Sequence, residues 1–407
     1  MNHLFNLAFF LSLLASFFSC EVKRKEQPIA LRPLASPTVA PSGEPFLFTD
    51  DADRVFLSWI EKKGDWNEFK YAELKDTTWS QPVTIAADSN WFVNWADYPM
   101  LAAKGEQFIA HFLAKSGEGT FAYDVKVTQS NDGGATWSSP KAIHDDGKQA
   151  EHGFVSLIPY GDHFLVTWLD GRNTVMEGME NHVGHDGHHG EMTLRAAVIN
   201  PAGEKLQEWE LDNRTCDCCQ TSAAITDNGP IVVYRDRSSE EIRDMSVTRL
   251  VNGSWTAPQT IHADNWKIAG CPVNGPRMQA RGNTVAVAWY SMPTEKSEVK
   301  VAFSKDGGAT FGQPIQIDEG KAIGRVDLVM LDNERVVVTW MEGNVIKAAR
   351  VDANGTKGDS FAVAASSESR SSGFPQLTAS KQDLIFAWTN SNSKNIDLVR
   401  IPKSTLE

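Results

Sequence analysis

A short apolar run, mostly β-branched and closing on an aromatic residue, recurs seven times along this chain and limits what it can fold into more than any other feature. The runs are VFLSW ending at Trp59, FIAHF at Phe112, FLVTW at Trp168, IVVY at Tyr234, VAVAW at Trp289, VVVTW at Trp340 and LIFAW at Trp388. Successive aromatics stand 53, 56, 66, 55, 51 and 48 residues apart. A near-constant period of this size marks a repeat array, in which each unit buries its apolar face against its neighbours. Before each run from the second onward lies a strand of small or apolar residues, as in DYPMLAA, HGFVSLI and TSAAIT; after it comes an alternating strand such as YDVKVTQS or EVKVAFS, often with a fourth such as SSPKAIH. Four antiparallel strands per unit predict an all-β chain folded as a β-propeller of seven four-stranded blades. The last unit stops short of its fourth strand, and QPIALRPL, Gln27 to Leu34, stands outside the first unit and could supply it. Such closure removes an open sheet edge.

The chain begins MNHLFNLAFFLSLLASFFSC, whose apolar stretch from Leu7 to Phe18 is too short for a permanent membrane span and reads as a signal-peptide core over residues 1–19. Cys20 after small Ser19 resembles the bacterial lipobox, with Phe17 where Leu is usual; the resemblance implies acylation of Cys20 and a tether over 20–27. An ordinary secretory signal is the plain alternative. Residues 28–407 then form one propeller domain, held in a bacterial cell envelope by lipid alone and expected to be a monomer. The net charge of -13 argues against nucleic acid and anionic headgroups as partners.

Two turns carry a specific resemblance. SNDGGATW (Ser130, Asp132, Gly134, Trp137) fits the pattern SxDxGxTW, and SKDGGATF (Ser304, Asp306, Gly308, Phe311) fits it with Phe last; DTTW at Trp79 and NGSW at Trp255 are weakened relatives at the same place in their units. The chain therefore resembles the sialidase superfamily of Asp-box, or BNR, repeats. That resemblance implies a sialidase-like propeller, and since sialidases have six blades, six is the alternative to the count of seven. In it the Asp caps backbone amides, Gly supplies positive φ and the aromatic packs between blades, all structural roles. Ligand sites are then expected on the opposite face, built from the inter-blade loops and the loops after each aromatic-ended strand.

Those loops concentrate unusual chemistry. Every cysteine besides Cys20, and seven of the ten histidines if His262 is included, falls within them. An exo-α-sialidase would need an arginine triad, an Asp acid/base and a Tyr nucleophile activated by Glu. Asp97 is the candidate acid/base, with loop capping as its plain alternative, and Tyr290 is the last tyrosine; Arg235, Arg237 and Arg277 are candidate anion ligands, and Arg172 and Arg325 also lie near the face. The first family arginine has only a poor substitute in Arg32 before Pro33. Glycoside hydrolysis is thus the second reading rather than the first. Alternating charges in YRDRSSEEIRD would ordinarily be solvated.

Cys216, Cys218, Cys219 and Cys271 form an even set, which in an oxidising compartment is consistent with one or two disulfides in any of three pairings. The other reading is a soft-metal site, copper or zinc, to which His182, His185, His188 and His189 of the loop from Leu169 to Met192 would contribute, with Met176, Met179 and Met192 nearby. A solvated Gly/His loop is the alternative for that segment. Three functions follow as expectations: a ligand-binding propeller with a Cys/His metal site, an exo-acting glycoside hydrolase, and an interaction platform for a glycan or protein with disulfide-braced loops.

Overall fold

The computed structural model describes residues 29–175 and 190–406, so Cys20, the signal segment, Met176, Met179 and the four loop histidines lie outside it. Within it the chain forms seven antiparallel sheets and two short 3-10 turns. The sheets follow the repeat. In blade 3, for example, His152–Tyr160 pairs with His163–Asp170, then Thr193–Ile199, then Lys205–Asp212. The aromatic-ended run is the second strand in every blade, and Trp59, Trp168, Trp289 and Trp340 are fully buried there. Burying an indole costs its N–H a water partner, and three of the four regain one: Trp168, Trp289 and Trp340 donate to carboxylates of Asp170, Asp264 and Glu342 at 2.8, 2.7 and 2.8 Å.

The ring closes as the first residues suggested. Arg32–Leu34 forms the outer strand of blade 7, with Arg32 opposite Arg400, Pro33 opposite Val399 and Leu34 opposite Leu398. Seven blades rather than six result. Adjacent blades are also bonded through their inner strands: Ala223, Met278, Met330 and Leu377 amides donate to Ser156, Ser222, Gln279 and Asp327 side chains of the preceding blade at 2.8–3.0 Å.

The Asp boxes occupy the turns between third and fourth strands. Asp132 accepts from the Thr136 amide at 2.9 Å and hydroxyl at 2.6 Å, and Ser130 accepts from the Gly134 amide at 2.9 Å. Asp306, Thr310, Ser304 and Gly308 repeat these three contacts. Gly134 has φ +87°, and a Cβ there would lie 1.9 Å from the Tyr71 hydroxyl, so two independent constraints select glycine. Trp137 packs edge-on against Tyr71 of blade 1 and Phe108 of blade 2, between the two blades.

Across the central axis, Arg277 of blade 5 donates to the Tyr98 hydroxyl and, at 3.3 Å, to Gln376 of blade 7, and stands 3.7 Å from Asp327 of blade 6. Phe374 stacks on Trp95 and lies tilted against Tyr98 beside this plug. Below it a well of about 860 Å³ opens among the Asp-box-side turns. The chemistry singled out in the sequence gathers on the other side.

Candidate functional site

A cleft of about 630 Å³ opens on the loop face, walled by Trp95, Phe121, Tyr123, Glu151, Phe154, Asp217, Cys218, Arg237, Glu241, Arg243, Cys271, Val273 and Arg370. Five inter-blade joints and loops of blades 2 and 4 contribute, which is why no local pattern in the sequence outlines it. Three of its wall residues hold left-handed backbone without being glycine: Phe154 at φ 53°, Glu241 at 62° and β-branched Val273 at 49°. Such conformations cost on the order of 1–3 kcal/mol each and cluster where function over-determines the backbone.

At the base, Tyr123 donates to Glu151 at 2.9 Å, and its hydroxyl lies 3.3 Å from Asp97. One phenol proton cannot serve two carboxylates, so the second contact is best made by a protonated carboxyl. Burial supplies one: it pushes Asp97 up to about 7 against the bonds from the Phe154 amide and Tyr123, and drives Glu151 well above the usual carboxylate range. Asp97 also caps the next inter-blade loop, accepting from Phe154 N at 2.7 Å. A Cβ on Gly153 would lie 2.0 Å from the Asp97 carboxylate, so glycine is required for the approach.

On the opposite wall the thiols meet. The sulfurs of Cys216, Cys218 and Cys219 lie within 4.8 Å of one another, with Cys216 and Cys219 3.6 Å apart. Cys271 stands near enough to Cys218 for each to perturb the other's ionisation, so it adjoins the three-thiol cluster. No disulfide joins them. Burial opposes ionisation of Cys216, but hydrogen bonds from Cys218 and Cys219 and the charges of Arg243 and Arg235 outweigh it and hold that thiol well below its usual range. Arg243 donates directly to Cys216 Sγ at 3.2 Å.

The five residues expected to act as a catalytic group are dispersed. Arg235 is 1 % exposed, stacked on Trp266, and gives its donors to the carbonyls of Asn274, Arg243 and Tyr290; it cannot reach a ligand, contrary to the open-face placement. A buried guanidinium bonded to neutral carbonyls still favours a nearby anion, and the Cys216 thiolate is its neighbour. Arg277 belongs to the axial plug. Tyr290 packs on Trp266 with its hydroxyl 3.6 Å from Met292 sulfur, outside the cleft walls. Arg172 is held by Asp170, and Arg325 is buried over Trp95. Arg32 sits in the closing strand of blade 7. Arg237 lines the cleft, bidentate to Glu241, while Asp97 lies buried behind the wall residues Tyr123 and Phe154. The sequence reading passed over Tyr123 and Glu151, although a tyrosine at a strand start and a glutamate before the next inner strand were visible.

Met192 is fully buried in the core rather than free to ligate. The end of its loop is nonetheless fixed beside the cysteines: Thr215 N donates to Met192 O at 2.9 Å, and Arg214 pairs with Glu191.

Fold and site together define a seven-bladed propeller of Asp-box type with a carboxyl- and thiol-lined cleft on its loop face. The chain belongs to the BNR repeat-like domain family, whose model matches residues 68–385. Among solved structures it is similar to polysaccharide lyase Uly1 (10% identity, 95% of this chain and 94% of that one, TM-score 0.53). It is also similar to the Penicillium chrysogenum α-L-arabinanase bound to arabinobiose (11%, 93% and 98%, TM-score 0.51). A Hadza microbial sialidase matches at 14% identity over 74% of this chain and 63% of that one, with TM-score 0.42, so the chain spans less than two thirds of the sialidase's length. No curated protein sequence matches.

Proposed function

We propose that this chain is an envelope-anchored propeller that binds a soft metal ion, copper or zinc, through Cys216, Cys218, Cys219 and Cys271 beside a ligand-binding cleft on the face opposite the Asp boxes. The observation that carries this reading is the convergence of the thiols beside the Arg243 guanidinium. Two sulfurs on a tetrahedral ion with metal–sulfur bonds of about 2.3 Å stand about 3.8 Å apart. The Cys216–Cys219 separation of 3.6 Å is close to that edge and far from a bonded disulfide. The guanidiniums of Arg235 and Arg243 offset the negative charge that several thiolates around one ion would leave. Contributions from His182, His185, His188 and His189 belong to the same proposal. Titration of the reduced protein with Zn(II) or Cu(I) should protect Cys216, Cys218 and Cys219 from alkylation, and Cys216→Ser should abolish that protection. Full alkylation in saturating metal would defeat the metal reading and leave the disulfide-braced platform. Anchoring through Cys20 predicts that Cys20→Ser releases the protein from the membrane fraction; a variant that stays detergent-extractable with its signal removed excludes the lipid.

A second reading rests on Tyr123, Glu151 and Asp97. A phenol between two buried carboxyl groups, both pushed toward the protonated form, supplies the residue types of an exo-acting glycoside hydrolase, a nucleophile with acid and base candidates beside it. Tyr123→Phe would then abolish sugar release from a fluorogenic sialoside, and a wild type with no turnover of such substrates rejects this assignment of substrate.

A further inference from the structure

The four thiols are not equivalent in placement. Cys216, Cys218 and Cys219 come from one inter-blade loop; Cys216 and Cys219 are buried and Cys218 half-buried. Cys271 comes from the next inter-blade loop, is exposed, and meets the cluster through Cys218. Its loop is tied at both ends. Ile268 N donates to Glu241 O at 2.9 Å, and the Asn274 side chain donates to the carbonyls of Pro272 and Ile323 at 3.1 and 3.2 Å. Between Ala269 and Val273, among the described residues, no backbone-to-backbone hydrogen bond holds the chain. The nearest atom to a Cβ on Gly270 would be 4.0 Å away. Cys271 can therefore swing out of the cluster at the cost of one sulfur contact. A structural tetrathiolate site has all of its ligands enclosed, whereas a site that gives up its ion keeps one ligand within reach of an acceptor.

We propose, building on the metal reading above, that Cys271 is an exchangeable ligand through which the three-thiol site hands a Cu(I) ion to, or takes it from, a thiol- or thioether-bearing acceptor lodged in the cleft. Cu(I) suits this role because soft sulfur donors select it and a three-sulfur set is enough to hold it when the fourth leaves. The step is ligand substitution: a bond forms between the ion and the incoming sulfur as the bond to Cys271 sulfur breaks, the released Cys271 thiolate takes up a proton, from an incoming thiol or from water where a thioether enters, and no electrons are transferred. The acceptor would lie against Cys271 and Gly270 on the rim and Asp217 below it, all of which line the cleft.

The test uses the reduced full chain loaded anaerobically with one equivalent of Cu(I), then challenged with a chromophoric Cu(I) chelator. Metal-free Cys271→Ser should unfold at the wild-type temperature, and the loaded variant should keep its ion on the other three thiols but lose it about tenfold faster than wild type. In loaded wild type, a small alkylating agent should modify Cys271 ahead of the other three thiols. Equal release rates in wild type and Cys271→Ser, or equal protection of all four thiols, would overturn the exchange role while leaving the metal site standing. Failure of the wild type to hold any Cu(I) or Zn(II) would remove both.

Discussion

Asp97 caps the loop at Phe154 with one carboxyl oxygen, as its plain reading expected, and faces Tyr123 with the other. Because its proton is retained to about 7 when folded but is lost near pH 4 when unfolded, stability should fall as pH rises through that window and level off above it. The loss is at most about 4 kcal/mol, and Asp97→Asn should flatten the curve. Urea unfolding of both proteins from pH 4 to 8 checks this; parallel curves would mean that Asp97 is ionised throughout. Gly153→Ala, which places a methyl against that carboxyl, should lower stability by about 1–3 kcal/mol in the same assay. At this scale the cysteines could be read from the sequence because their type and spacing announce chemistry. Arg235 could not, since a charged residue in a charged run gives no sign that its guanidinium turns inward to carbonyls. Tyr123 and Glu151 escaped because their pairing depends on how two blades are set against each other.

Between neighbouring strands, the Asp box shows why the repeat was easy to see. Its hydrogen bonds and its glycine all lie within eight consecutive residues, so sequence and geometry coincide. Ser130 is buried and accepts from Gly134 while donating to Asp132 at 2.7 Å. Ser130→Ala should therefore cost about 1–3 kcal/mol without changing metal content. Differential scanning calorimetry beside metal analysis separates the two effects; a loss of metal in step with stability would tie the cleft to the Asp-box face. Loops on the other face obey no such local rule. Their ends are set by strands, as at Thr215 and Met192, and their path by contacts remote in sequence.

For the whole molecule, closure joins residues more than 360 positions apart, Arg32–Leu34 with Asn395–Pro402. The missing fourth strand of the last unit made that closure legible, since an unpaired edge requires a partner. Removing residues 32–34 should lower stability by about 3 kcal/mol and promote association through the exposed edge, seen by light scattering during a thermal ramp. An unchanged unfolding temperature would mean that blade 7 closes without it. Seven blades also set the relation among the cysteine loops, because the joints between blades 3 and 4 and between 4 and 5 are neighbours on the ring. The most direct measurement is elemental analysis of the protein taken reduced and without chelators from its native envelope, with sulfur coordination read by X-ray absorption at the edge of the metal found. One copper or zinc per chain with three or four sulfur neighbours is the predicted result; a metal-free protein with all four thiols paired as disulfides would contradict it.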